Sequence, residues 1–364
     1  MKKSLFMMGV AIAALSSCTQ NEVLDIAESN TIQFGKSYIG KPTRANIINN
    51  EDELDNFYVY GFTKKTGDSW GNGAETGGDG LYLFENEKVY KDGGIWKYDN
   101  IKKYQKDYSY TFAAYSDGGN TTLNGKLDNV EYKVADQDKV TLTITDYLTT
   151  DNNDLLVSIS TSQLTESDQH VSFGFKHALS QIKFTINNPL GNNPIEVTNF
   201  NVKIEEYSDP ENDNAFQDKA TLTYASSVGN EADPTIKWTL ASGPVYKVIN
   251  EPNAVVAKVG TPAEYIYTII PQEAKELTLT LTATLNKTEE NGGGTESQDY
   301  TITIPADKIP TGIYNPGFIY NFKMTLNMGY IYFDGITVDE WNEDVNVNGD
   351  NTDDDIEVPA TPAE

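Results

Sequence analysis

The sequence predicts an all-β protein built from antiparallel β-sandwiches. Strand-favouring residues are plentiful, with 22 Tyr and 14 Phe among 364 residues and Thr throughout. Short runs alternating apolar and polar residues recur at close spacing, separated by clusters of Gly, Pro, Asn and Asp. No stretch sustains a helical apolar period over three turns. The length argues for two such sandwiches.

Residues 1–17 read as a secretion signal. Lys2 and Lys3 precede an apolar run over residues 5–15, and Ser16-Ser17 supply small residues before Cys18. That run falls short of the roughly 20 apolar residues a membrane-spanning helix needs. Cys18 is the only cysteine, so no intrachain disulfide exists. Residues 18–44 then form a pro-segment. An acidic tether over 20–29 leads into an expected strand at 31–39, with Ile32 and Phe34 on one face. Thr43-Arg44-Ala45 follows, a basic residue before a small one in a Pro-containing connection. Such a junction suits a protease, although a lone Arg in a loop is ordinarily a solvated charge. A strand followed by a cleavable junction can be taken from its domain, leaving a groove for another chain's strand.

An N-terminal sandwich is expected over 45–168. Its strands are 56–62, 81–84, 88–90, 95–98, 108–115, 140–145 and 154–159, with a Gly-rich loop at 69–80. The polar stretch 161–169 separates it from a C-terminal sandwich over 169–345. Strands are expected there at 171–175, 177–187, 200–204, 220–224, 236–240, 265–270, 277–285, 300–304, 318–326 and 331–341. Residues 346–364 read as an acidic tail, since 339–364 holds ten acids and no Lys or Arg.

The formal charge of −27, from 54 acids against 27 bases, disfavours nucleic acid and bare anionic lipid as partners. Catalytic constellations are missing. The two histidines are His170 and His177, and no nucleophile elbow, phosphate loop or His-Glu-x-x-His occurs. The expectation is a protein that is not an enzyme and needs no cofactor. Asp344, Asn346, Asn348, Asp350 and Asp355 match the oxygen-ligand spacing of a calcium loop, with Gly349 at the sharp turn. Against it stand the shorter Asp at the last position, Asn351 where an apolar residue packs, and flanks that are not helical. No metal is therefore expected. An alternative function is a surface glycan-binding lipoprotein in which Trp70, Trp96, Trp238 and Trp341 stack on sugars, though at strand spacing these aromatics suit a core.

Several segments together resemble the fimbrillin family of Bacteroidetes pilins and pilin-like surface lipoproteins. They are Leu15-Ser16-Ser17-Cys18, which is similar to a lipobox, the Thr43-Arg44-Ala45 junction, and Trp96 followed by 110–115. Residues 154–157, 175–184, 269–272, 317–320 and 336–341 complete the set, in order, over nearly the whole chain. The resemblance implies two tandem transthyretin-like β-sandwich domains. It also implies lipidation of Cys18, anchoring at the outer membrane, surface exposure and incorporation into a fimbrium. Cleavage after Arg44 by a trypsin-like or gingipain-like protease would make Ala45 the new N-terminus. Other pilus subunits would then be partners through strand exchange, and an adhesin would meet a host or bacterial surface receptor. The chain after Trp341 is acidic and Asn/Gly-rich, which makes it a weak donor strand.

Overall fold

The structure is a computed structural model and describes residues 30–35, 38–39, 54–68, 81–117, 126–135, 139–149, 154–160, 170–189, 194–204, 215–227, 235–243, 245–286, 294–327 and 330–341. The all-β expectation is met. Among the described residues the helical pieces are two 3-10 turns, Ala306–Lys308 and Pro310–Gly312.

Near-continuous apolar and aromatic runs at 57–62 and 110–115 place their strands at the centre of a seven-stranded sheet. Its order is Tyr38–Ile39, Gly174–His177, Leu155–Ile159, Tyr108–Asp117, Asn56–Lys65, Leu81–Asp92, Ile95–Lys97. Eight consecutive residues of Asn56–Lys65 and nine of Tyr108–Asp117 are buried, because both faces of the sheet are covered. Gly61 sits where two of these strands crowd. A Cβ there would lie 2.9 Å from the Phe84 ring and 3.0 Å from the Phe112 ring.

On one face packs a four-stranded sheet of Thr235–Leu240, Lys219–Ser227, Lys139–Leu148 and Val130–Ala135. The shared core holds Phe62, Tyr115, Tyr132, Leu142, Leu222 and Tyr224. Half of this covering sheet comes from beyond residue 168. Lys219–Ser227 pairs antiparallel with Lys139–Leu148, and Gly174–His177 pairs with Leu155–Ile159.

A second pair of sheets encloses another core. One sheet runs Ala263–Ile269, Ser180–Asn187, Phe318–Asn327, Tyr330–Glu340. The other runs Ile249–Glu251, Ile195–Lys203, Leu277–Asn286, Thr295–Ile304, with Val255–Ala257 also on Ile195–Lys203. Phe184, Phe200, Tyr265 and Phe322 meet between them.

Three differences from the sequence expectation have physical reasons. Ser180–Asn187 and Phe318–Asn327 are parallel neighbours. Parallel strands need a long connection, and no local alternation signals it. Residues 81–84 and 88–90 form one strand, Leu81–Asp92, because an irregular pairing with Asn56–Lys65 lets Asn86 adopt φ 51° and the strand continue. Val130–Ala135 is a strand that was not expected, although Val130, Tyr132 and Val134 alternate; interleaved Glu and Lys weaken its local signal.

Candidate functional site

The second face of the seven-stranded sheet carries the site. Phe57, Val59, Phe84, Phe112, Ala114 and Phe175 project there and form an aromatic floor. The N-terminal segment lies across it. Ile32 is 0% exposed and Phe34 5% exposed. The Phe34 ring meets five others, with centroids 5.4 Å from Tyr98, 5.8 Å from Phe57 and from Phe84, 6.0 Å from Phe173 and 6.5 Å from Phe112. Edge-to-face and offset geometry of this kind adds about 0.5–1.5 kcal/mol per pair beyond area burial.

Backbone groups fix the segment on both sides. Gln33–Phe34 pairs in parallel with His170–Val171. The Ile32 N–H donates to the Lys102 carbonyl at 3.0 Å, the Tyr104 N–H to the Asn30 carbonyl at 2.8 Å, and the Gly35 N–H to the Val171 carbonyl at 2.9 Å. The Tyr98 hydroxyl donates to the Ile32 carbonyl at 2.7 Å. Burial pushes that hydroxyl's pKa above its ordinary value. Gly35 is needed for the close approach, since a Cβ would stand 3.1 Å from the Ser172 hydroxyl and 3.2 Å from His170 Cβ. Further on, Tyr38–Ile39 forms the edge of the seven-stranded sheet, parallel to Gly174–His177. The expected single strand over 31–39 is thus two short strands with different partners, one on the sheet face and one at its edge.

The energetics of this seat are finely balanced. Burying Ile32 and Phe34 contributes about 1.5–3 kcal/mol each, and each hydrogen bond about 0.5–1.5 kcal/mol. Ordering residues 30–35 costs about 1–2 kcal/mol apiece. Gain and cost are of similar size, so covalent continuity with the chain that follows matters to whether the segment stays. An open cleft of ≈ 1150 Å³ runs beside the segment, lined by Tyr90, Trp96, Ile101, His170 and Ser172.

A family model described as fimbrillin-like matches residues 43–341. The chain belongs to the fimbrillin-like family. Residues 30–35, with Ile32 and Phe34, precede the matched region. Among solved structures, this fimbrillin-like chain is similar to a fimbrial protein from Bacteroides vulgatus, at 17% identity over 86% of this chain and 99% of that one, with a TM-score of 0.49. It is similar also to a fimbrial assembly protein from Parabacteroides distasonis, at 14% identity over 85% and 97%, with a TM-score of 0.33. The C-terminally truncated tip fimbrial protein Mfa3 from Porphyromonas gingivalis is 12% identical over 80% and 95%, with a TM-score of 0.29. No curated protein matches the chain significantly.

Within this fimbrillin-like protein, Ile32 and Phe34 are the expected site residues that the structure brings together. Cys18, Arg44 and Ala45 lie outside the described residues, as do Trp70 and the calcium-like set Asp344, Asn346, Asn348, Asp350 and Asp355. Three tryptophans of the glycan reading are engaged in packing. Trp96 stands 4.9 Å from Phe57 with Lys91 Nζ 5.0 Å over its ring. The Trp238 indole donates to the Ala178 carbonyl at 2.7 Å. Trp341 stacks on His177 at 4.5 Å and 4°, and His177 Nδ1 meets Asp154 Oδ2 at 2.6 Å. Sequence reasoning missed Tyr98 and Phe173 as walls of the seat. The alternation of Val171, Phe173 and Phe175 was the available signal for Phe173, while nothing local marks Tyr98.

Proposed function

We propose that this chain is a structural pilus subunit or pilin-like adhesin, not an enzyme, exported as a lipoprotein through Cys18 and held at the outer membrane. A trypsin-like or gingipain-like protease cuts after Arg44. The segment carrying Ile32 and Phe34 then leaves, and Ala45 begins the mature body. A neighbouring subunit's strand enters the vacated seat, placing the protein in a surface fimbrium, where an adhesin would meet a host or bacterial receptor.

The observation that carries this reading is the Phe34 ring set among five aromatic rings by a segment that precedes the family match. An incoming strand would satisfy the same carbonyls at Lys102 and Val171 and bury alternate side chains on the same floor. Membership of a fimbrial family supports association with other subunits.

The test is limited trypsin treatment of the chain without its lipid, read by intact mass and native gels. One dominant cut after Arg44 followed by ladders of non-covalent oligomers is the expected result. Resistance at Arg44 in the folded protein would overturn the cleavage step.

A further inference from the structure

Thr235–Leu240 is an edge strand of the four-stranded sheet, and among the described residues no strand pairs with its outer side. Its register with Lys219–Ser227 fixes which groups point outward. The Ala241 N–H donates to the Lys219 carbonyl, and hydrogen-bonded pairs alternate along an antiparallel ladder. Thr221↔Thr239 and Thr223↔Lys237 are therefore the paired positions. The N–H and C=O groups of Ile236, Trp238 and Leu240 face away from the sheet. The side chains of those three residues are half-buried against the core, while Thr235, Lys237 and Thr239 are exposed.

This edge opens on a cleft of ≈ 650 Å³ whose far wall includes Pro271, Gln272, Tyr314 and Pro316. The chain's C-terminal segment departs from the same end of the molecule. The Trp341 N–H donates to the Gly317 carbonyl at 2.9 Å, next to Pro316, and Gly317 in turn bonds Leu179, beside the carbonyl that holds Trp238. Residues 342–348 read Asn-Glu-Asp-Val-Asn-Val-Asn, an alternation with Val345 and Val347 on one face. Extended, those residues reach about 23 Å at about 3.3 Å each.

We propose that residues 342–348 add as a strand to the outer edge of Thr235–Leu240 of the same chain. Val345 and Val347, with Glu343, fall on the face of Ile236, Trp238 and Leu240, and the two valines fill the cleft. Asp344 and the asparagines fall on the face of Thr235, Lys237 and Thr239. The charge pattern agrees, since Lys237 and Lys275 line the cleft against one acid, Glu273. Added backbone hydrogen bonds satisfy the edge and remove a template for unwanted pairing. The proposal does not depend on cleavage at Arg44. It gives the segment after Trp341 a place within its own subunit.

Hydrogen exchange read on the peptide spanning 235–241 tests it, comparing the full chain with a chain ending at Trp341. Removal of the segment is expected to speed exchange there by about tenfold or more, as release of a locally held strand does, and to leave Leu277–Asn286 unchanged. The full-length double variant Val345→Asp, Val347→Asp is expected to reproduce the effect, which guards against misfolding on truncation. Unchanged exchange in both variants would overturn the proposal. Protection that rises with protein concentration and survives truncation would overturn it too, assigning the edge to a second copy.

Discussion

Asp117 is 7% exposed and accepts a hydrogen bond from the Tyr147 hydroxyl at 2.9 Å. Burial raises its pKa above 3.8, the Tyr147 bond opposes the rise, and the Asp154 charge adds to it. The folded state therefore keeps a proton on Asp117 over a range where the unfolded chain has lost it. Stability falls as pH climbs from the unfolded value through the folded one. Asp117→Asn keeps an acceptor for Tyr147 and removes that titration. At pH 7 the variant is expected to unfold at a higher denaturant concentration than the wild type, and near pH 3 the two should coincide. Parallel pH profiles for both proteins would refute the assignment. Nothing in the sequence singles Asp117 out among 54 acids. Its burial arises because Tyr147, from a strand across the core, closes over it.

Alternation in the sequence places Ile32 and Phe34 on one face, and the structure buries both. The partner was not legible. The segment pairs in parallel with His170–Val171, 137 positions along the chain from Gln33 and Phe34. A contact at that separation lies outside any local window of the sequence. Phe34→Ala removes packing worth about 3–5 kcal/mol, comparable with the whole hold on the segment. The expected outcome is local release, with fast amide exchange over 30–35 and a changed Trp96 emission, since Trp96 packs on Phe57 at the same floor. Unaltered exchange over 30–35 in the variant would mean that the seat does not depend on this ring.

The two halves of the chain share one core. Ala178, Leu179, Leu222, Tyr224 and Ile270 pack with Tyr58, Tyr115, Tyr132 and Leu142. A fragment of residues 45–168 would lack two of the four strands of its covering sheet and would expose that core. It is expected to unfold without cooperativity and to bind a hydrophobic dye. Co-expression with residues 169–341 is expected to restore a single sharp transition. A fragment 45–168 that melts cooperatively by itself would disprove the interdependence.

The sequence by itself determined the all-β class, most strand positions and the shared buried face of Ile32 and Phe34, because period-two alternation and turn residues act over a few positions. Tertiary structure alone decided that Lys219–Ser227 joins Lys139–Leu148, that Ser180–Asn187 lies parallel to Phe318–Asn327, and that Phe34 enters a ring of aromatics. Each of these is a choice among distant strands with similar local patterns. It is settled by which combination buries the most apolar surface with every backbone group paired, a property of the whole chain and not of any window along it.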